Sequence, residues 1–266
     1  IEKSDFTYSV TITPSYNLVN KLVSLSGTYN GAELSYGTRD LGGMGAPGQS
    51  AVPLVRAEEG KPIGQLWALV YKEIDENGNL IFKDINNDGT IDPLDRQVVG
   101  HGLPKLLLGF ANNFTYKNWD LSVFFRGVFG HDLINSYRAF YEVPQMIKSY
   151  NLPKTASNMK NPKTGVYLNN SSGILSSYHV ESGDFVALDN MSLGYNFKLP
   201  AGGQFNKIRL YLAGNNLFYI TGYKGVDPNP RYGDIEDNNN PLVPGVDRRN
   251  TWFRTRSVTF GANFVF

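Results

Sequence analysis

The sequence predicts an all-β fold, a stretch of membrane-crossing antiparallel β-barrel, on three observations. Six runs of about ten residues or more alternate apolar with polar side chains, the period of a strand with two unlike faces. No segment carries an apolar repeat at helical spacing for more than a few turns, and none offers the roughly 18 consecutive apolar residues of a membrane helix. The connections also alternate in length: residues 117–118 and a short turn at 198–206, against long stretches at 131–183 and 219–256. Barrels of the outer membrane have short turns on one side and long loops on the other. Structureless loops beyond about 15 residues are uncommon in compact soluble domains.

The elements follow in order. DFTYSVTIT puts Phe6, Tyr8, Val10 and Ile12 on one face and Asp5, Thr7, Ser9 and Thr11 on the other, and the parity carries past Pro14 through Tyr16 and Leu18. One long strand over 5–22 is expected, bent or at an edge near the proline, which cannot donate to a ladder. From Lys105, Leu106, Leu108, Phe110, Phe114 and Tyr116 share a face; after Lys117 and Asn118, so do Trp119, Leu121, Val123, Phe125 and Phe129. Two strands, 105–116 and 119–130, therefore meet in a tight hairpin. DFVALDNMSLGYNF predicts a strand over 184–197 with Phe185, Ala187, Met191, Leu193, Tyr195 and Phe197 together. After the Gly-rich turn, KIRLYLAGNNLFYI sets Ile208, Leu210 and Leu212 opposite Arg209 and Tyr211, a strand over 206–218. The last strand, SVTFGANFVF, turns Val258, Phe260, Ala262, Phe264 and Phe266 one way. Its other face is small and polar, which suits lipid on one side and water on the other.

With the end of the last strand on the periplasmic side, parity puts 23–104, 131–183 and 219–256 outside the cell. The first of these is too long for a bare loop, and GQLWALVYKEI at 64–74 reads as a local strand, so a small external subdomain is expected at about 23–104. Two charges break the pattern. Arg126 lies on a polar face and is expected in the lumen; Asp189 lies on an apolar face and is expected near an interface or at a register change, because a charge facing lipid is costly.

Composition excludes several classes. Lys and Arg total 25 against 24 for Asp and Glu, which gives no electrostatic case for a nucleic-acid partner. Charged residues make up 18%, below the roughly 25% of soluble domains, while aromatics reach 13%. With no cysteine there is no thiol nucleophile or thiolate metal site. His101, His131 and His179 fall in separate loops with no paired carboxylate, so the chain is read as no enzyme. GMGAPG has dinucleotide-loop spacing at Gly43, Gly45 and Gly48, but Pro47 and Pro53 break any helix after it, and a loop is the better reading.

The sharpest local signal is DINNDGTIDPLD. Counted from Asp84, oxygen-bearing side chains stand at positions 1, 3 and 5 (Asp84, Asn86, Asp88), glycine at 6 (Gly89), a backbone carbonyl at 7 (Thr90), Asp92 at 9 and Asp95 at 12. Calcium takes six to eight hard oxygens at this EF-hand spacing, with glycine for the sharp turn. Position 12 is Asp where a bidentate Glu is usual. The expectation is a structural calcium ion stiffening an external loop, against a plain solvated turn. Trp67, Tyr71, Trp252 and Phe253 are the aromatics that could stack on a sugar or pack a peptide; packing within loops or a membrane-interface girdle is the blander reading.

FKDINNDGTIDPLDRQVVGHGLPKLLLGFANNFTYKNWDLSVFFRGVFGHDLIN, ESGDFVALDNMSLGYNFKLP, IRLYLAGNNLFYITGYKGVDPNP and SVTFGANFVF, in this order, resemble the C-terminal part of the SusC-like (RagA-type) TonB-dependent transporters of Bacteroidota outer membranes. RRNTWFRTRSVTF departs from the approach to the last strand that is common there. The resemblance implies about six strands and three external loops of a roughly 22-stranded barrel, with plug and earlier strands upstream of Ile1. It implies TonB and a SusD-like surface lipoprotein as partners, and import of oligosaccharides or oligopeptides. The residues alone leave open a secreted, calcium-stabilised β-sandwich that binds glycans, and a SusC-like barrel that serves an outer-membrane assembly without transporting.

Overall fold

The computed structural model describes all residues except 19, 44–51, 170–174, 201–202, 231–241 and 250. Its main feature is one antiparallel sheet. Six strands form it: β1 (Phe6–Tyr16), β2 (Leu106–Tyr116), β3 (Trp119–Phe129), β4 (Phe185–Phe197), β5 (Lys207–Thr221) and β6 (Ser257–Val265), each paired with its sequence neighbour, and a two-residue strand, Glu2–Lys3, folds back on β1. Neighbours in sequence are neighbours in space, an up-and-down meander.

The register fixes the faces, because directly paired residues of antiparallel strands point the same way. Ile12, Phe110 and Phe125 form one apolar row; Tyr16, Leu106 and Phe129 form another. Leu193, Leu212 and Phe260 continue that face across β4 to β6. Among the described residues no second sheet covers it: Ile12 is 59% exposed, Val258 69% and Phe260 71%. A sandwich would bury this face; a barrel gives it to lipid. The opposite face carries Thr7, Ser9, Thr11 and Thr13 on β1, Asp120, Ser122 and Arg126 on β3, and Ser257, Thr259 and Asn263 on β6. The sheet is open, with β6 unpaired along its outer edge among the described residues.

Three sequence expectations are corrected. β1 ends at Tyr16 instead of reaching 22. Its partner begins at Leu106, just after Pro104, and the last bond of the ladder runs from Asn17 N–H to Lys105 O, 2.8 Å. Phe185 and Ala187 do not share a face with Met191. The register shifts between Leu188 and Asn190, with Asp189 as the extra residue, so Phe185 and Ala187 turn to the polar side, where both are 1% exposed. Each extra residue in a strand of period two reverses the faces beyond it. Finally, 64–74 is two strands, Gln65–Leu69 and Tyr71–Ile74, in separate sheets.

At the end of the wall opposite the 117–118 hairpin, the three long connections fold together. A four-stranded sheet (Arg96–His101, Gln65–Leu69, Val55–Glu58, Thr38–Leu41) and a three-stranded one (Val180–Ser182, Asp132–Asn135, Val246–Asp247) share a core in which Leu54, Val55 and Leu66 meet Ile134, Ala139, Leu175, Val243 and Val246. Ile74, Leu80 and Phe82 likewise pack on Met159 and Leu168. Close approach depends on Gly102: a β-carbon there would lie 2.2 Å from Pro244 O. The only α-helix among the described residues, α1 (Ser136–Tyr141), sits in this cap and is N-capped by the Asn135 side chain on Arg138 N–H.

Candidate functional site

On the polar side of the wall, the β4 bulge builds a charged cluster. Asp189 is swung off the apolar face and takes two bonds from the Arg126 guanidinium, 2.5 Å from Nε and 3.3 Å from Nη2, while the same guanidinium lies 5.0 Å over the Phe185 ring. Nearer the hairpin end, Arg209 on β5 crosses β4 to Asp120 on β3, with bonds of 3.0 and 2.5 Å, and Asn196 donates to the same carboxylate at 2.8 Å. The crossing needs Gly194 beneath it, where a β-carbon would meet the Arg209 guanidinium at 2.5 Å. Both pairs are forked Arg–carboxylate contacts. Arg126 stands on the polar face, and Asp189 sits at the register change.

In the cap, a buried network ties two connections together. Arg138 of α1 bonds Glu142 at 2.8 Å and also reaches Glu181, which accepts the Lys224 N–H at 3.0 Å. Burial works against the Arg138 charge; the two carboxylates outweigh it and raise its pKa. Tyr223 donates to Asp247 at 2.7 Å, and its hydroxyl is pushed upward by burial and by that carboxylate. His179 is 2% exposed, and burial, with the Arg138 charge adding, lowers it to about 3. Sequence reasoning missed this group. The partners are between 4 and 43 residues apart with no fixed spacing, and the one available signal was an unusual density of charge in loops that also carry core aliphatics.

The 84–95 loop folds as its residues suggest. Asn87 and Gly89, at positions 4 and 6, have φ of 60° and 83°. Asp84 accepts the Asn87 and Gly89 N–H groups at 2.6 and 2.8 Å, Asp88 accepts Thr90 N–H at 2.8 Å, and Asp95 accepts Ile85 and Asp92 N–H at 2.7 and 2.9 Å. Asp95 is out of contact with water, and the N–H groups of Asp92 and Ile85 hold its carboxyl below the usual range despite burial. Asp92 caps the short turn at Pro93–Asp95 through Leu94 N–H. Among the described residues no three acidic or histidine side chains converge on one point. The donors are of the type calcium takes, and here they are turned onto the loop's own backbone.

The candidate aromatics do not come together. Trp67 is half-buried on the four-stranded sheet, with the Arg56 guanidinium 3.7 Å from its ring. Tyr71 packs edge-on against Tyr178 at 5.0 Å, next to the second cap core. Trp252 and Phe253 stand 90% and 75% exposed before β6. Of the candidate dinucleotide loop, Gly45 and Gly48 lie outside the described residues.

An antiparallel wall with one bare apolar face, one polar face and a folded cap at one end defines a transmembrane β-barrel of the outer-membrane type. Comparison with known proteins makes the kind of barrel specific. The whole chain is 27% identical to TonB-dependent receptor P3 of Formosa agariphila, matching 27% of that receptor. Over 71% of the chain it is 33% identical to TonB-dependent receptor P39 of the same organism, and over 62% it is 30% identical to TonB-dependent receptor SusC of Bacteroides thetaiotaomicron. A solved structure of the RagAB peptide transporter superposes on 99% of the chain, with a TM-score of 0.71 at 18% identity, and carries the same fold. No family model matches. The chain is a homologue of the SusC-like TonB-dependent receptors of Bacteroidota, consistent with the C-terminal part of such a barrel. It spans between 17% and 27% of the length of these three relatives. These relatives are receptors and transporters rather than enzymes.

Proposed function

We propose that the intact protein is a TonB-dependent importer of oligosaccharides or oligopeptides in the outer membrane, and that this chain supplies wall and external cap. The observation that carries the reading is the pair of unlike faces: an uncovered apolar face for lipid, and an opposite face with Arg126, Asp189, Asp120 and Arg209 for a water-filled or plugged lumen. In this reading the cap side is extracellular, a SusD-like lipoprotein closes over it, and TonB and the plug act through parts of the protein beyond this stretch. Loss of TonB in the native host should abolish uptake of the substrate that supports growth, and deletion of the protein should do the same. Growth unaffected by either change would overturn the proposal.

The 84–95 loop is proposed to hold a structural calcium ion through Asp84, Asn86, Asp88, Asp92, Asp95 and the Thr90 carbonyl. Support comes from the hard-oxygen donor set and the left-handed turns at positions 4 and 6. Its chemistry would be to crosslink the loop, with no catalytic part. Calcium should protect the intact protein from proteolysis within this loop, and Asp84→Ala/Asp88→Ala should remove the protection. Equal calcium affinity in parent and double variant rejects these ligands.

A further inference from the structure

The connection after β1 carries a hairpin with an uncovered apolar face. Gly27–Tyr29 and Ala32–Leu34 pair antiparallel around Asn30 and Gly31, whose φ of 49° and 79° make the tight turn that Asn-Gly favours. The register sets Gly27 against Leu34, Thr28 against Glu33 and Tyr29 against Ala32. One face therefore holds Tyr29, Ala32 and Leu34, and the other Thr28 and Glu33. The base is tied to the cap: the Glu59 carboxylate accepts the Leu25 N–H at 2.6 Å and the Ser24 hydroxyl at 3.1 Å, and Leu22 shares backbone bonds with Gly60 and Lys61. Beyond the base every residue from 26 to 40 is exposed, Tyr29 at 69% and Leu34 at 40%, and none belongs to either cap core.

A two-stranded hairpin is marginally stable alone in water, and a bare apolar face calls for an element to cover it. Position says which element. The outer edge of β1 from Ser9 to Tyr16 has no partner among the described residues, and a wall in lipid leaves no strand edge open, so a further strand lies against β1. Its antiparallel course brings the connection that leads into it up beside residues 17–36 at the cap end. The two later connections are already engaged in the cap cores. This chain matches 27% of the length of TonB-dependent receptor P3, and a receptor of that length has further barrel segments to supply the cover. We propose that the apolar face of the 27–34 hairpin is a docking surface for the cap-side connection of the strand that precedes β1 in the same protein. The occupant presents apolar or aromatic side chains to Tyr29, Ala32 and Leu34. A lid that opens and closes fits less well, because each opening would bare this face on a hairpin with no core of its own.

The inference goes beyond the importer reading and needs only a barrel with strands before Ile1. For the test, p-benzoylphenylalanine is placed at Tyr29 of the intact protein in native outer membranes, and the peptide captured on irradiation is identified by mass spectrometry. A peptide of the same chain from before Ile1 is expected, with the product still at monomer mass on a denaturing gel. The same group at Thr28, on the other face, should not capture it. Capture by Tyr29 of the surface lipoprotein, of a second copy or of lipid, or no capture at all, overturns the proposal. Leu34→Ser, made alongside, should speed hydrogen exchange over 24–36 by about tenfold or more, as when a buried leucine loses its contact, with β2 and β3 unchanged. Exchange over 24–36 that does not respond rejects the docking as well. Uptake that proves independent of TonB would overturn the importer reading and leave this surface standing.

Discussion

His179 is the residue whose chemistry is most displaced by folding, and the displacement has a sign. Sealed beneath the cap next to Arg138, it is held neutral down to about pH 3, whereas in an unfolded chain it would take a proton near pH 6.5. Below that value the unfolded state binds a proton that the folded state refuses. Stability of this region is therefore full above about pH 6.5 and declines as pH falls toward 3, by about 2 kcal/mol at pH 5. Hydrogen exchange at residues 176–182 of the intact protein, corrected for intrinsic rates, should report easier opening at pH 5 than at pH 7. His179→Gln, which keeps an acceptor for the Ser176 N–H, should flatten that dependence. An equally steep dependence in the variant would locate the proton elsewhere. Asp247 acts in the opposite sense: burial raises its carboxyl, so the folded state keeps a proton that the unfolded chain gives up, and stability declines as pH rises from about 4.

Strands were legible in the sequence where the period of two ran unbroken, as in β2, β3 and β6, because alternation is the direct imprint of a wall with two solvents. β4 shows where that imprint misleads. A run of apolar residues at odd positions, Phe185 to Phe197, reads as one face only if no residue is inserted. Asp189 is that inserted residue, and the charge that broke the pattern was its only trace. The cap was less legible still, because its cores join segments over a hundred residues apart, as when Leu66 meets Val246. For the same reason the turns of the 84–95 loop, set by residues close in sequence, were legible and the Arg138 network was not. The bulge makes its own prediction. Asp189→Ala keeps the extra residue but strands the Arg126 guanidinium, and should cost about 1 to 3 kcal/mol in urea unfolding of the barrel in detergent micelles. Deleting Asp189 removes the bulge, so the apolar parity of β4 becomes continuous and Phe185 and Ala187 are driven toward lipid. That deletion should impair assembly far more than the alanine substitution. Equal behaviour of the two variants would mean that β4 slides freely, contrary to the register found here.

At the scale of the whole molecule the question is which solvent each face of the wall meets. An open sheet with an apolar face this exposed is stable only if lipid covers the face and further strands cover the edges, since unpaired strand edges and bare apolar surface both invite aggregation. A hydrogen-bonded wall in lipid must also close on itself, because no water is present to satisfy a free edge. This stretch has no cysteine, so with any cysteine elsewhere in the intact protein replaced by serine a direct test is open. Single cysteines at Val258, Phe260 and Phe264 of β6 should resist a membrane-impermeant maleimide in intact outer membranes and react with a lipid-soluble one. Cysteines at Thr259 and Asn263, on the same strand but of the other parity, should react with the impermeant reagent once the lumen is opened by mild denaturant, and resist the lipid-soluble one. The contrast must alternate residue by residue, because only a strand with lipid on one side and an aqueous or plugged lumen on the other produces a period of two in solvent access. Labelling that ignores parity along β6 would mean that this face packs against protein, and the sheet would then be part of a soluble or peripheral assembly instead of a membrane wall.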